Sequence, residues 1–206
     1  MFYSWDKKLD VRRLPQQRRS SEVYNSIVMA TEKLLEKESY EDINTNRIAE
    51  QAGVSVGSLY QYFTNKVSIL SVIVESRIEK HIHRLTECTK RVKNESLDVY
   101  FKTFLRELYE IFVVDRKVIR RYFLTEILLL RYKAIMNSRR RMALIISQDI
   151  HKHFPDKTLS TLEKDVELAS HAIMGVVHSM VWDEDKIIPM NIFVADGLAL
   201  IKSYIK

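Results

Sequence analysis

Chemistry in this 206-residue chain would have to come from its six histidines, its single cysteine, an acidic residue set in an apolar run, or a glycine-bracketed loop. His81 and His83, like His151 and His153, are two apart and diverge on a helix, so neither pair can share a metal. His171 and His178 are seven apart and share a helix face, but a metal would need further ligands, and a core or dimer-face role fits them better. Cys88 has no partner for an intrachain disulfide and reads as a small buried residue in a reducing compartment. Gly53-Val54-Ser55-Val56-Gly57 has two glycines but lacks the Gly-Lys-Ser/Thr that completes a phosphate loop. No nucleophile stands beside a base. The expectation is therefore no enzyme, no metal and no cofactor.

Non-covalent contact is the chemistry that remains, and it concentrates in Asn44–Lys66. Ile48, Ala49 and Ala52 recur at helical spacing, which predicts a short amphipathic helix over Thr45–Ala52. Asn44 suits its N-cap. Gly53 suits its end, where a left-handed backbone favours glycine. Val54 is apolar within the turn and should plug the gap between two crossing helices. Ser55 can cap a second helix that buries Leu59 and Phe63 and exposes Val56, Gly57, Ser58, Gln61 and Tyr62. Two short helices joined by such a turn suit the major groove of DNA.

The surrounding elements are helical as well. The chain is 46% hydrophobic with only four glycines, and its apolar residues keep helical spacing, so an all-α protein is expected. Residues 1–19 read as a flexible basic arm whose Arg12, Arg13, Arg18 and Arg19 either reach phosphates or a minor groove, or are simply solvated. Ser20 or Ser21 should cap a helix running to about Glu38, completing a three-helix head over residues 20–66. Asn65 should cap a long helix to about Arg91. Helices are then expected over Leu97–Val114, Val118–Asn137, Ser138–Phe154, Thr158–Trp182 and Asn191–Ile205, making about nine in all and a helical body over residues 67–206.

Charge and length set further bounds. The net charge is +6, unevenly spread. Residues 1–21 hold six basic and two acidic side chains, whereas 22–66 hold four basic and seven acidic. The head therefore has no strongly basic surface, and tight non-specific binding to nucleic acid is not expected of it. Leu168–Trp182 is the longest charge-free apolar stretch, too short to cross a bilayer, and the first residues have no apolar signal core. A cytoplasmic protein without membrane association is the expectation.

Ile48-Ala49, Ala52-Gly53-Val54-Ser55, Gly57-Ser58-Leu59-Tyr60, Tyr62-Phe63 and Lys66 together resemble the signature of TetR-family transcriptional regulators. The resemblance covers about residues 20–70. It implies a homodimer with DNA-binding heads and helical ligand-binding bodies, in which a small-molecule effector changes the spacing of the heads. By position it implies that Thr45, Asn46, Val56, Gly57, Ser58 and Tyr60 approach bases and nearby phosphates, and that Tyr60, Tyr62 and Lys66 hold phosphates; Gln61 is a further candidate DNA contact, and it and Tyr62 are otherwise plain surface. Hydroxyls can donate to base edges or phosphate, a bare glycine lets backbone come close, and Val56 offers only apolar contact. The family often has a basic or polar residue at the Val56 position and histidine at that of Tyr62. Direct readout should therefore be sparse here, with DNA shape carrying part of the specificity. The implied function is a repressor released from a palindromic operator by a partly apolar effector. The alternative is a helical ligand-binding or scaffold protein that does not bind DNA.

In the body, Tyr100, Phe104, Tyr109, Tyr122, Glu126, Met174 and His178 are the candidate pocket residues, being aromatic or polar on otherwise apolar helices. Glu126 must find a partner or shift its pKa. It either meets a cationic or hydrogen-bonding ligand, pairs with Arg121 or Arg131, or lies at an exposed helix edge. Leu162, Val166, Ala169, Ile173, Val177, Phe193, Leu198 and Ile201 form broad apolar faces on the last two helices, with Gly175 and Gly197 permitting close approach. Two such helices from each of two subunits would make a four-helix dimer interface. Otherwise they close the core of a single chain.

Overall fold

The computed structural model describes residues 11–12, 15–114, 116, 120 and 127–205, with residues 127–134 and 184 described by their backbone only. Eight α-helices occur among the described residues, which have no strand longer than an isolated bridge. They are α1 (Arg18–Lys37), α2 (Thr45–Ala52), α3 (Val56–Tyr62), α4 (Lys66–Val92), α5 (Leu97–Tyr109), α6 (Ile127–Ile150), α7 (Leu159–Trp182) and α8 (Met190–Tyr204). Two compact units divide the chain. One is Met1–Arg77 with Arg120–Lys133, and the other is Ile78–Ile119 with Ala134–Lys206.

In the first unit α1 packs on α2 and α3. Ile27, Leu35, Ile43, Ile48, Leu59 and Phe63 are fully buried there. Side chains of this size contribute about 1.5–3 kcal/mol each on burial, so they hold α2 and α3, too short to persist alone, against α1. The helix ends are fixed locally. Asn44 Oδ1 accepts from the Arg47 N–H at 3.0 Å, and Ser55 Oγ accepts from the Ser58 N–H at 3.0 Å. Gly53 is left-handed (φ 66°), and its N–H reaches the carbonyls that end α2. Asn65 and Ser68 cap α4 reciprocally, each side chain accepting from the other's backbone N–H. The first helix differs from expectation. It begins at Arg18 with Gln17 as N-cap, and Ser20 occupies the third helical position, where its Oγ accepts from the Gln17 N–H.

In the second unit α8 packs against α5 and α7. A five-residue π-helical turn, Glu110–Val114, continues α5 and meets α7. Gly197 of α8 lies so close to α5 that a Cβ there would stand 3.1 Å from Leu105 Cδ1, whereas a Cβ on Gly175 would meet nothing within 4 Å. Close approach is thus required at Gly197 alone of the two. The break expected between Asn137 and Ser138 is absent, because α6 runs unbroken from Ile127 to Ile150. Ser138 Oγ donates to the Ile135 carbonyl one turn back, so its hydroxyl is satisfied inside the helix.

The expected dimer residues need correction. Leu162, Val166, Ala169, Ile173, Val177, Phe193, Leu198 and Ile201 are at most 8% exposed within the single chain. They close its core, and the faces that α7 and α8 turn outward carry other residues. On α7 the outward stripe is Leu168, His171, Gly175, Ser179 and Trp182, and on α8 it is Ile192, Ala195, Ala199 and Ser203. No helix among the described residues is long and apolar enough to cross a membrane.

Candidate nucleic-acid interface

Two N-caps and one left-handed glycine set the angle at which α3 leaves the turn, so the side chains on its outer face are positioned by local chemistry. Val56, Gly57 and Gln61 are exposed, Ser58 is half-buried, and Tyr60 is 38% exposed. Asn46 is exposed on the first turn of α2 and Thr45 is half-buried beside it. Tyr60 Oη and Thr45 Oγ1 lie 3.0 Å apart, so one hydroxyl donates to the other across α2 and α3. The pair keeps at least one further lone pair or hydrogen facing outward, as a phosphate contact needs. Ser58 Oγ is 2.8 Å from the capping Ser55 Oγ, so Ser58 shares in the cap. Eight of the nine expected contact residues thus lie at least partly open on this head.

Tyr62 is the ninth, and its expected exposure is corrected. It is 8% exposed and turned toward α1, with its ring edge-on to Tyr24 at 6.0 Å between centroids. Tyr24 also stacks on Phe63 at 4.9 Å. Three aromatic rings in contact bury a large apolar area, which decides the direction of Tyr62 at the last turn of α3. Burial, and secondarily the Glu75 charge, push the Tyr24 hydroxyl up from its ordinary value, so it stays neutral.

Arg47 and Lys66, the cations nearest the turn, are already engaged. Arg47 holds both carboxylate oxygens of Glu38, at 2.6 and 2.7 Å. Lys66 lies at the start of α4 as expected, yet its Nζ donates to the Tyr40 carbonyl at 2.8 Å and sits 3.9 Å from the centre of the Tyr40 ring. A lysine so placed has donors to spare but is drawn toward the loop before α2.

The amino-terminal segment, expected to be a loose arm, is attached where it is described. Val11 forms an isolated antiparallel bridge with Phe63. The Arg12 N–H donates to the Tyr62 carbonyl at 2.8 Å, and Arg12 Nη1 donates to the Tyr60 carbonyl at 3.3 Å. No sequence signal pairs residues this far apart, although alternation around Val11 is the pattern a bridge would use.

In the second unit the described candidate pocket residues make the following contacts. Tyr100 is buried and donates to Asp149 Oδ2 at 3.0 Å, while burial and that carboxylate raise its pKa. Tyr109 is buried and donates to the Ile188 carbonyl at 3.0 Å. His178 is half-buried 3.4 Å from Arg139 Nη2, and burial, then the arginine's charge, lower its pKa. Phe104 and Met174 are half-buried. Tyr122 and Glu126 lie outside the described residues. An open groove of about 590 Å³ lies between the end of α7 and the 183–189 loop, lined by Val176, Met180, Ile188 and Ile192 among others. None of the expected pocket residues among the described ones lines it, though Tyr109 holds the carbonyl of Ile188, which does. His171, expected in the core or at a dimer face, is exposed, and its Nδ1 is 2.7 Å from the Glu167 carbonyl. Cys88 is buried as expected, and that burial raises its thiol pKa. No group of acidic, histidine or cysteine side chains that could hold a metal occurs among the described residues.

Against this geometry, residues 27–73 match the sequence profile of the bacterial regulatory proteins, tetR family. The fatty acid metabolism regulator protein of Bacillus subtilis (strain 168) is 33% identical over 67 residues, which make up 32% of this chain and 34% of that protein. The chain spans about a third of the length of the curated relatives it matches. A TetR-family transcriptional regulator from Mesorhizobium loti shares the fold with a TM-score of 0.66 at 16% identity, over 91% of this chain and 97% of the other. The regulator FadR from Bacillus subtilis, solved in complex with stearoyl-CoA, does so with a TM-score of 0.59 at 20% identity, over 89% and 98%. Residues 27–73 thus carry the sequence pattern of the tetR-family head, and the chain shares its fold with these solved regulators.

Proposed function

We propose that this protein is a ligand-responsive transcriptional regulator that binds a near-palindromic operator as a homodimer. We further propose that it acts as a repressor released by a small, partly apolar molecule. One observation carries the reading. The doubly capped α2–turn–α3 unit, which matches the family profile, turns Val56, Gly57, Gln61 and the Thr45–Tyr60 hydroxyl pair outward on a single element. Such an element enters a major groove, and two of them about 34–36 Å apart read successive grooves on one side of a duplex.

The dimer face in this reading is the outward stripe of α7 and α8. Leu168 (54% exposed), Trp182 (42%) and Ile192 (46%) alternate there with Gly175, Ala195 and Ala199. Large apolar side chains beside small ones suit the meeting of two helices from each copy around a two-fold axis. The groove beside Met180 and Ile188 has the size and mainly apolar lining of a small-molecule site, and we place the effector there. An effector shifts the heads by no more than its differential affinity for the two states.

A second reading is a helical ligand-binding or scaffold protein whose head does not bind DNA. Its support is the engagement of Arg47 and Lys66 within the head, beside an α3 that has no charged residue of its own. Mobility shift of DNA fragments from upstream of the protein's own gene separates the two. The regulator reading expects a shifted complex that survives excess unrelated DNA. Absence of any specific complex at low salt favours the scaffold.

A further inference from the structure

We infer that Val11 and Arg12 are a built part of the DNA-reading head, and that Arg12 is the cation that holds a DNA phosphate beside the carboxyl-terminal end of α3. The inference rests on the DNA-binding reading above and deepens it.

Three contacts define the attachment. Val11 bridges Phe63, the Arg12 N–H donates to the Tyr62 carbonyl, and Arg12 Nη1 donates to the Tyr60 carbonyl. Both carbonyls belong to the last turn of α3, where helix carbonyls lack intrahelical donors and where a cation is favoured by the dipole. The segment is thus fixed to the recognition helix over a sequence separation of 48 residues.

The cations in and beside α2 and α3 then point to Arg12. Phosphate contacts supply most of the sequence-independent affinity for DNA, and they need cations. The α2 and α3 helices together carry one cation, Arg47, which is paired bidentately with Glu38. Lys66 is held by the Tyr40 carbonyl and ring. Arg12 is exposed, and of its five guanidinium donors only Nη1 is used, over a long 3.3 Å contact, among the described residues. The other donors are open to solvent next to Tyr60, whose hydroxyl is paired with Thr45. A phosphate lying along the carboxyl-terminal end of α3 would meet this guanidinium, which binds phosphate oxygens in bidentate fashion.

The test uses the full chain and a duplex enriched by the wild-type protein from a random-sequence pool, with affinity measured by fluorescence anisotropy over a series of KCl concentrations. Arg12→Ala should lower affinity and flatten the salt dependence by about one phosphate per head, and Arg12→Lys should restore the slope. If Arg12→Ala keeps the wild-type slope while Tyr60→Ala weakens binding, Arg12 is at most a helix cap and the inference falls, leaving the DNA-binding reading in place. If the wild type enriches no sequence and binds no duplex at low salt, both readings fall together.

Discussion

Tyr60→Phe deletes one oxygen from the head and nothing else. Its hydroxyl lies 3.0 Å from Thr45 Oγ1, and Tyr60 is 38% exposed, so no cavity is opened in the core. Replacing Thr45 by Val removes the other half of the pair and keeps the branched shape. A neutral hydrogen bond contributes about 0.5–1.5 kcal/mol net. In the proposed dimer two heads engage each operator, so each single change should cost about 1–3 kcal/mol of binding, roughly 5- to 150-fold in Kd. If the two hydroxyls hold a phosphate as one unit, the double variant loses little more than either single one. Anisotropy titrations at one fixed salt concentration measure all four proteins, and sedimentation verifies that each variant keeps the oligomeric state of the wild type. Binding within twofold of wild type for all three variants would refute the hydroxyl pair as a DNA contact. Losses that simply add would show that the hydroxyls act separately.

Three further outcomes follow from the second unit. Leu168→Glu places a charge at a 54% exposed position of the α7 stripe, so it should yield a folded monomer by sedimentation, whereas an unchanged dimer would move the interface elsewhere. Tyr100→Phe leaves Asp149 without its buried donor and should lower stability by about 1.5–3 kcal/mol in urea unfolding; a loss below about 0.5 kcal/mol would mean the carboxylate finds water instead. His178 has its folded pKa lowered from 6.5, chiefly by burial. As pH falls below 6.5 the unfolded chain therefore takes up a proton before the native one does. Stability declines from there down to the native pKa and then levels. His178→Gln should remove that decline from thermal midpoints recorded across the range, and an identical pH profile would contradict the assignment.

Much of the head was legible because its signals are local. Asn44, Gly53 and Ser55 each act on backbone within four residues, so residue type and spacing suffice to place two helices and the turn. Ser20 was misplaced because a serine at the third helical position looks, in sequence, like one at the cap. Long-range choices were hidden. Apolar spacing showed that Leu162, Val166 and Phe193 would be buried, but the same spacing serves a core and an interface, and only packing reveals that one chain covers them. Tyr62 faced two surfaces of comparable appeal, and the rings of Tyr24 and Phe63 decided it. The partners of Arg47, Lys66 and Arg12 are 9, 26 and 48 residues away, so nothing beside them in the sequence announces the pairing.

Selection of duplexes from a random-sequence pool by the full-length protein, followed by footprinting of the enriched sites, tests the central claim most directly. The account predicts an inverted repeat whose half-sites are centred about 10 base pairs apart or a multiple of it, protected by two chains. Failure of any sequence to enrich over the starting pool would contradict it.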